Sequence, residues 1–275
     1  MLTKRFNPLP GFRMTLGFTL FYLSVIVLVP MAALAIKILG VSWREFWETA
    51  FNERALAAYR LSVGASFLAA CINTVFGVIL AWVLVRYKFP GRRLMDALID
   101  FPFALPTAVA GLTLANLFHD DGWLGSWLVP QGIKGAFSPL GVMIALTFVG
   151  MPFAVRTLQP VIEHFDRGVE EAAATLGAGR LRTFLQIIAP TLLPTVISGF
   201  ALAFARALGE YGSVVFISGN LPMETEIAPM LIVARLDNHD YSGAMAIAVV
   251  LMIFSFVILG LINLLENWAR RFTNQ

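Results

Sequence analysis

The stretch 170-EEAAATLGAGRLRTFLQIIAP-190 sets two glutamates and two arginines among alanines and glycines, in a chain that is otherwise oily. Just upstream, Asp166 is a good N-cap for a helix running through Leu176. Glu170 and Glu171 fall in the N-terminal half of that helix, where its dipole favours acids. Ala172, Ala173 and Ala174 are strong helix formers with almost no side chain, so another backbone can come close. Gly177 can adopt the positive φ that ends such a helix. A second helix starts near Gly179, carries Leu181, Phe184, Ile187 and Ile188 at helical spacing, and enters an apolar run at Pro190. The pattern predicts a short surface helix, a sharp turn, and a helix that dives into a membrane.

The membrane is implied by what lies on either side. Of the 275 residues 58% are hydrophobic and 13% charged, against roughly 25% charged in soluble domains. Six runs of 18 residues or more lack Asp, Glu, Lys and Arg: 14–36, 61–85, 101–118, 135–155, 183–205 and 241–265. A helix crossing a hydrocarbon core of about 30 Å needs about 20 apolar residues, so each run is long enough to span. The fold class expected is all-α, a polytopic membrane protein with six transmembrane helices. With the N-terminus in the cytoplasm, the cytoplasmic segments hold 13 Lys and Arg, Lys4 and Arg5 among them, and the opposite side holds 7. The positive-inside rule therefore favours both termini inside. Acids divide 7 inside and 10 outside, so the net charge of +3 reflects orientation and is no footprint for nucleic acid. The first run is followed by Ala33-Leu34-Ala35, like a cleavage site, but at 23 residues it exceeds a signal core of about 7–15 and reads as an uncleaved helix.

Between the spans, residues 41–60 mix Trp43, Phe46, Trp47 and Phe51 with charges at helical spacing. That predicts an amphipathic helix at the outer interface, with membrane lipid as its neighbour. Residues 119–139 are rich in turn formers and suit an external loop. Residues 210–240, whose longest charge-free piece is 13 residues, are too short of apolar length to cross and read as a re-entrant or surface structure.

Catalytic equipment is thin. His119, His164 and His239 are 45 and 75 residues apart, so no short metal-ligand pattern exists. Neither a G-x-S-x-G elbow nor a Cys pair occurs, and the spans carry no acids. The sequence contains no Gly-Lys pair and hence no Walker A phosphate loop. Energised work would need its nucleotide chemistry on another chain.

In the opening stretch Glu171-Ala172-Ala173, then Gly177, then Ile187 and Ala189-Pro190, the spacing resembles the EAA motif of ABC importer permeases. That motif usually ends Leu-Pro, so Ala189 is a departure that only exchanges one apolar residue for a smaller one. The resemblance implies a type I ABC importer permease fold. It makes the segment at about 164–190 a coupling helix that docks in a groove of an ATPase, with Glu170, Glu171, Ala172, Ala173, Gly177, Ile187 and Pro190 as coupling residues. Two further stretches, 87-YKFPGRRLMDALIDFPFALPTAVAGLTLANLF-118 and 207-ALGEYGSVVFISGN-220, resemble the T subunit of sulfate/thiosulfate permeases. Molybdate permeases, whose cargo is also a tetrahedral divalent oxyanion, come next. This likeness covers nearly the whole chain. It implies an N-terminal part (1–59), a permease domain (60–265) and a cytoplasmic tail (266–275). The implied partners are a homologous W-type permease subunit, two copies of a cytoplasmic ATPase and a periplasmic sulfate- or thiosulfate-binding protein. No cofactor is expected on this chain; ATP and Mg belong to the ATPase. The implied setting is a bacterial inner membrane.

An oxyanion path can be sketched from the residues. Pro102 and Pro106 each remove a backbone donor in the third run and bend or break it. A broken helix at membrane depth offers peptide N–H groups and a positive helix end to an anion. Thr107 and Thr113, Ser62 and Ser66, and Thr195 and Ser198 could add hydroxyl donors, or each could serve helix packing. Arg206 follows the fifth run with Glu210 one helical turn on. It either pairs with Glu210 or attracts the anion.

Overall fold

The computed structural model describes residues 11–273, and helices are the only regular elements among them. Lys4 and Arg5, counted on the cytoplasmic side, lie outside the described residues, as does the end of the expected tail. In chain order the elements are α1 (Met14–Ile38), α2 (Trp43–Ala50), α3 (Glu53–Arg86), α4 (Arg92–Ile99), α5 (Phe101–Ala104) and α6 (Thr107–Phe118). They continue with α7 (Pro139–His164), α8 (Arg167–Thr175), α9 (Arg180–Leu208), α10 (Val214–Ile217), α11 (Ala228–Asp237) and α12 (Tyr241–Thr273). Five of the six apolar runs fall in helices long and apolar enough to cross a membrane: α1, α3, α7, α9 and α12.

The third run differs. It is built from α5 and α6, with α4 leading in. Proline chemistry accounts for the break. The residue before a proline is pushed out of helical geometry, and Leu105 has φ −88°, ψ 134° ahead of Pro106. The chain therefore turns at residues 105 and 106, and α6 restarts at Thr107 with 12 residues. Two other boundaries shift. The amphipathic helix expected over 41–60 stops at Ala50, because the Asn52 side chain accepts the Ala55 N–H at 2.8 Å and caps a new helix. That helix, α3, begins two turns before its charge-free run, since Arg54 is neutralised by Glu226. Its 34 residues make it about 50 Å long at 1.5 Å per residue.

Helices α3, α7 and α9 pack on one another, and the small α3 residues Ala58, Ala65, Ala69, Ala70 and Ala81 are buried. Small side chains let helix backbones approach, which is how apolar helices gain contact in a lipid setting. Towards one end Ala69, Val142, Leu146, Ala207, Val214 and Ile217 share a cluster. Towards the other, Leu84, Val155, Leu158, Ile162, Ile188 and Leu192 do. The stretch 210–240 is folded into the body: Val214, Ile217, Ala228 and Leu231 are fully buried.

A close backbone approach joins α6 to the turn after α9. A Cβ added to Gly111 would sit 2.2 Å from the Ser213 carbonyl oxygen, and one added to Gly212 would sit 2.2 Å from Thr107 Oγ1. Backbone cannot yield as a side-chain tip can. Gly111→Ala should therefore lower stability by about 1–3 kcal/mol, the usual cost of overpacking. Gly64→Ala, where the methyl meets nothing within 4 Å, should be neutral or gain up to about 1 kcal/mol of helix propensity. Thermal unfolding of the two variants in detergent checks this; equal midpoints would contradict it.

Candidate functional site

Helix α8 forms as its sequence dictates. Asp166 Oδ1 accepts the Gly168 N–H at 2.8 Å and caps the start. At the other end Gly177 has φ +81°. The Ala178 N–H reaches the Ala173 carbonyl and the Gly177 N–H the Ala174 carbonyl, both at 3.0 Å, the paired bonds of a Schellman turn. Gly179 is extended, and α9 begins at Arg180. Between Phe184 and Ile188 the helix widens by one residue, with the Ala189 N–H bonded to the Phe184 carbonyl. Pro190 causes this, since it has no N–H and its ring crowds the carbonyl four residues back. Ile187 lies in the widened turn, and Pro190 is exposed on the α9 surface behind it.

The expected coupling residues divide between two faces. Glu171, Ala172 and Gly177 are exposed, together with Leu176 (88%) and Leu181 (72%). That leaves a small apolar ridge beside an acid pointing away from the protein. Ala173, expected among the outward alanines, is instead buried against its own chain. Glu170 also turns inward. Its Oε1 lies 2.6 Å from Arg86 Nη2, at the last residue of α3. The Arg86 guanidinium sits 5.0 Å from the Trp82 ring centre and 5.7 Å from that of Phe165. Sequence reading missed Arg86: it is 84 residues from Glu170, and an arginine closing a span reads as an ordinary end-of-helix cation.

The anion-path candidates are brought together only in part. Gly212 rests on Thr107, so the turn after α9 covers the first turn of α6. In that turn Glu210, 2% exposed, accepts the Ser213 N–H at 2.9 Å and the Ser213 hydroxyl at 3.0 Å. Its other oxygen meets Arg206 Nη1 at 2.5 Å. Arg206 is thus paired, with its side chain 32% exposed. Thr107 and Ala108 open α6, where N–H groups lack intrahelical partners. Pro106 immediately precedes them and Pro102 is buried behind. The remaining hydroxyls are placed elsewhere. Ser62 Oγ accepts the Ala228 N–H at 2.7 Å and so caps α11. Thr113 and Ser198 donate to carbonyls of their own helices, Val109 and Pro194. Thr195 is half-buried on α9, and Ser66 Oγ is buried without a partner.

Arg156 on α7 clamps the segmented run. Its Nε and Nη2 bond the Asp100 carboxylate at 2.7 and 2.6 Å, and its Nη1 bonds Asp96 at 2.6 Å. Nη2 also reaches the Asp96 carbonyl at 2.9 Å. The Arg156 hydrogen bond is the main cause holding the Asp96 carboxyl below its ordinary range.

The body is thus helical, with a segmented third run and a capped, outward-facing helix between α7 and α9. The chain belongs to the family of binding-protein-dependent transport system inner membrane components, whose family model matches residues 73–271. As a member it is a multi-pass inner-membrane permease subunit and not an enzyme. The sulfate transport system permease protein CysT of Escherichia coli (strain K12) is 46% identical over 94% of this chain and 94% of that protein. The protein of the same name from Synechococcus elongatus is 50% identical, covering 93% and 92%. Nephroselmis olivacea has a probable sulfate transport system permease protein cysT, 50% identical over 92% and 89%. Among solved structures, a chain of a bacterial ABC transporter involved in the import of the acidic polysaccharide alginate superposes with a TM-score of 0.77. It covers 93% of this chain and 94% of its own at 14% identity. The shared fold is that of a type I ABC importer permease.

The Arg156 clamp carries a pH signature. A carboxyl whose folded pKa is depressed adds stability that is present above its unfolded value, near 3.8, and lost as pH falls through the lower folded value. Arg156→Gln should destabilise the protein at about pH 7, and its deficit against the parent should shrink as pH falls towards about 3. Thermal midpoints in detergent across that range measure it; a deficit independent of pH would contradict the assignment.

Proposed function

We propose that this chain is the membrane-spanning subunit of an ATP-driven importer for sulfate and thiosulfate, coupled to a separate ATPase through α8. The observation that carries the reading is near-full-length identity of 46–50% to proteins named as sulfate permeases. The exposed ridge of Glu171, Ala172, Leu176 and Leu181 supports α8 as the docking element. In this reading both termini face the cytoplasm and α6 belongs to the crossing set with the five long helices. A W-type permease completes the membrane unit, two ATPase copies bind ATP and Mg below it, and a periplasmic sulfate- or thiosulfate-binding protein delivers cargo. ATP binding and hydrolysis shift the permease between inward- and outward-facing states.

The start of α6 and the half-exposed Arg206 provide the anion's candidate contacts. A divalent oxyanion is favoured by the unpaired peptide N–H groups that open α6. Labelled sulfate uptake in cells lacking only this subunit tests the assignment, with thiosulfate and molybdate as competitors. Uptake should vanish, return with the chain, and be competed by thiosulfate more strongly than by molybdate. Intact sulfate uptake with lost molybdate uptake would transfer the cargo to molybdate. Detergent extraction without any co-purifying ATPase would point to a stand-alone secondary transporter.

A further inference from the structure

We infer that Arg86 and Glu170 form a lateral transmission contact, through which the docking helix moves α3 directly rather than only through its own chain connections. This rests on α8 being the ATPase-docking element, as proposed above. Both covalent routes out of α8 pass through non-helical residues. Phe165 and Asp166 are extended on the α7 side. On the α9 side, Gly177 at φ +81° and extended Gly179 interrupt the helix. A displacement of α8 reaching α7 or α9 along the chain is therefore carried by turn geometry.

The Arg86–Glu170 pair bypasses both turns. It joins the first turn of α8 to the final residue of α3 at 2.6 Å, and α3 packs along both α7 and α9. The Arg86 side chain is 11% exposed and held between the Trp82 and Phe165 rings. Its Nε is buried with no hydrogen-bond partner, so Glu170 is its main charge compensation. Removing one member of a largely buried pair strands the other charge, so the two stay together as the helix moves. Neighbouring acids thus divide the work. About 100° apart on the helix, Glu171 faces outward to a partner while Glu170 faces inward to the span. The pair borders an open surface cleft of about 330 Å³, and the exposed Glu171 lies on the rim of the same cleft.

The test uses the whole transporter reconstituted in vesicles with its partner permease, ATPase and binding protein, and reads sulfate imported per ATP hydrolysed. Glu170→Gln keeps the side chain's shape and removes its charge. The complex should assemble and hydrolyse ATP, with the ratio falling about tenfold, within the usual range of site-to-site coupling. Exchanging the charges, Arg86→Glu with Glu170→Arg, should recover part of the ratio. Should the exchanged pair fail to assemble, Glu170→Gln decides alone. A parental ratio in Glu170→Gln overturns the contact, as does lost assembly with an unchanged ratio in the complex that remains, since that marks a merely structural pair. If parent vesicles import no sulfate on ATP hydrolysis, the functional reading falls and this inference with it. If they do and only the ratio fails to move, the contact alone falls.

Discussion

In lipid, burying apolar surface does not distinguish one helix contact from another, because acyl chains are as apolar as leucine. An arginine that needs a carboxylate does distinguish them, since an uncompensated charge in a low dielectric is costly. In this protein the irregular segments are fastened by such pairs. Arg54 holds the loop before α11 through both oxygens of Glu226, which is 1% exposed. Arg156 holds α4 and the start of the segmented run. Arg206 and Glu210 shape the turn that covers α6. Arg235 and Asp240 close the turn into α12, where the Gly243 N–H is the leading cause of the depressed Asp240 carboxyl. Arg86 and Glu170 hold α8. The long helices follow from apolar length; the positions of the pieces between them follow from charge.

That division explains what could be read in advance. Five apolar runs become long helices because length and absence of charge are properties of a single segment. The geometry of α8 and its turns was legible for the same reason: Asp166, Gly177 and Pro190 each act within a few residues, and each does what its chemistry requires. The break in the third run was carried by Pro102 and Pro106. What escaped was tertiary. Glu226 lies 172 residues from Arg54, so no local pattern said that α3 could start at Glu53 with its charge compensated. Ser62 was open to two readings, an anion donor or a packing residue, because the Ala228 N–H it accepts arrives from another helix. Glu170 and Glu171 looked equivalent until Arg86 separated them.

The functional account joins these levels. A short capped helix faces outward, and the start of α6 lies under the turn after α9, which the Arg206–Glu210 pair shapes. Between them runs α3, bonded to the first through Arg86 and capping α11 through Ser62. The proposed function, in which the permease is driven from one side, requires such a continuous mechanical path.

The central claim is that the outward face of α8 meets the ATPase. Cross-linking tests it most directly. With the single Cys71 replaced, a cysteine is introduced either at Leu176 (Leu176→Cys) or, as a control in the loop expected outside, at Trp123 (Trp123→Cys), and the native complex is treated with a short thiol-reactive cross-linker. The account predicts a covalent adduct to the ATPase from position 176 and none from position 123. An adduct from neither, or from the control alone, would contradict it.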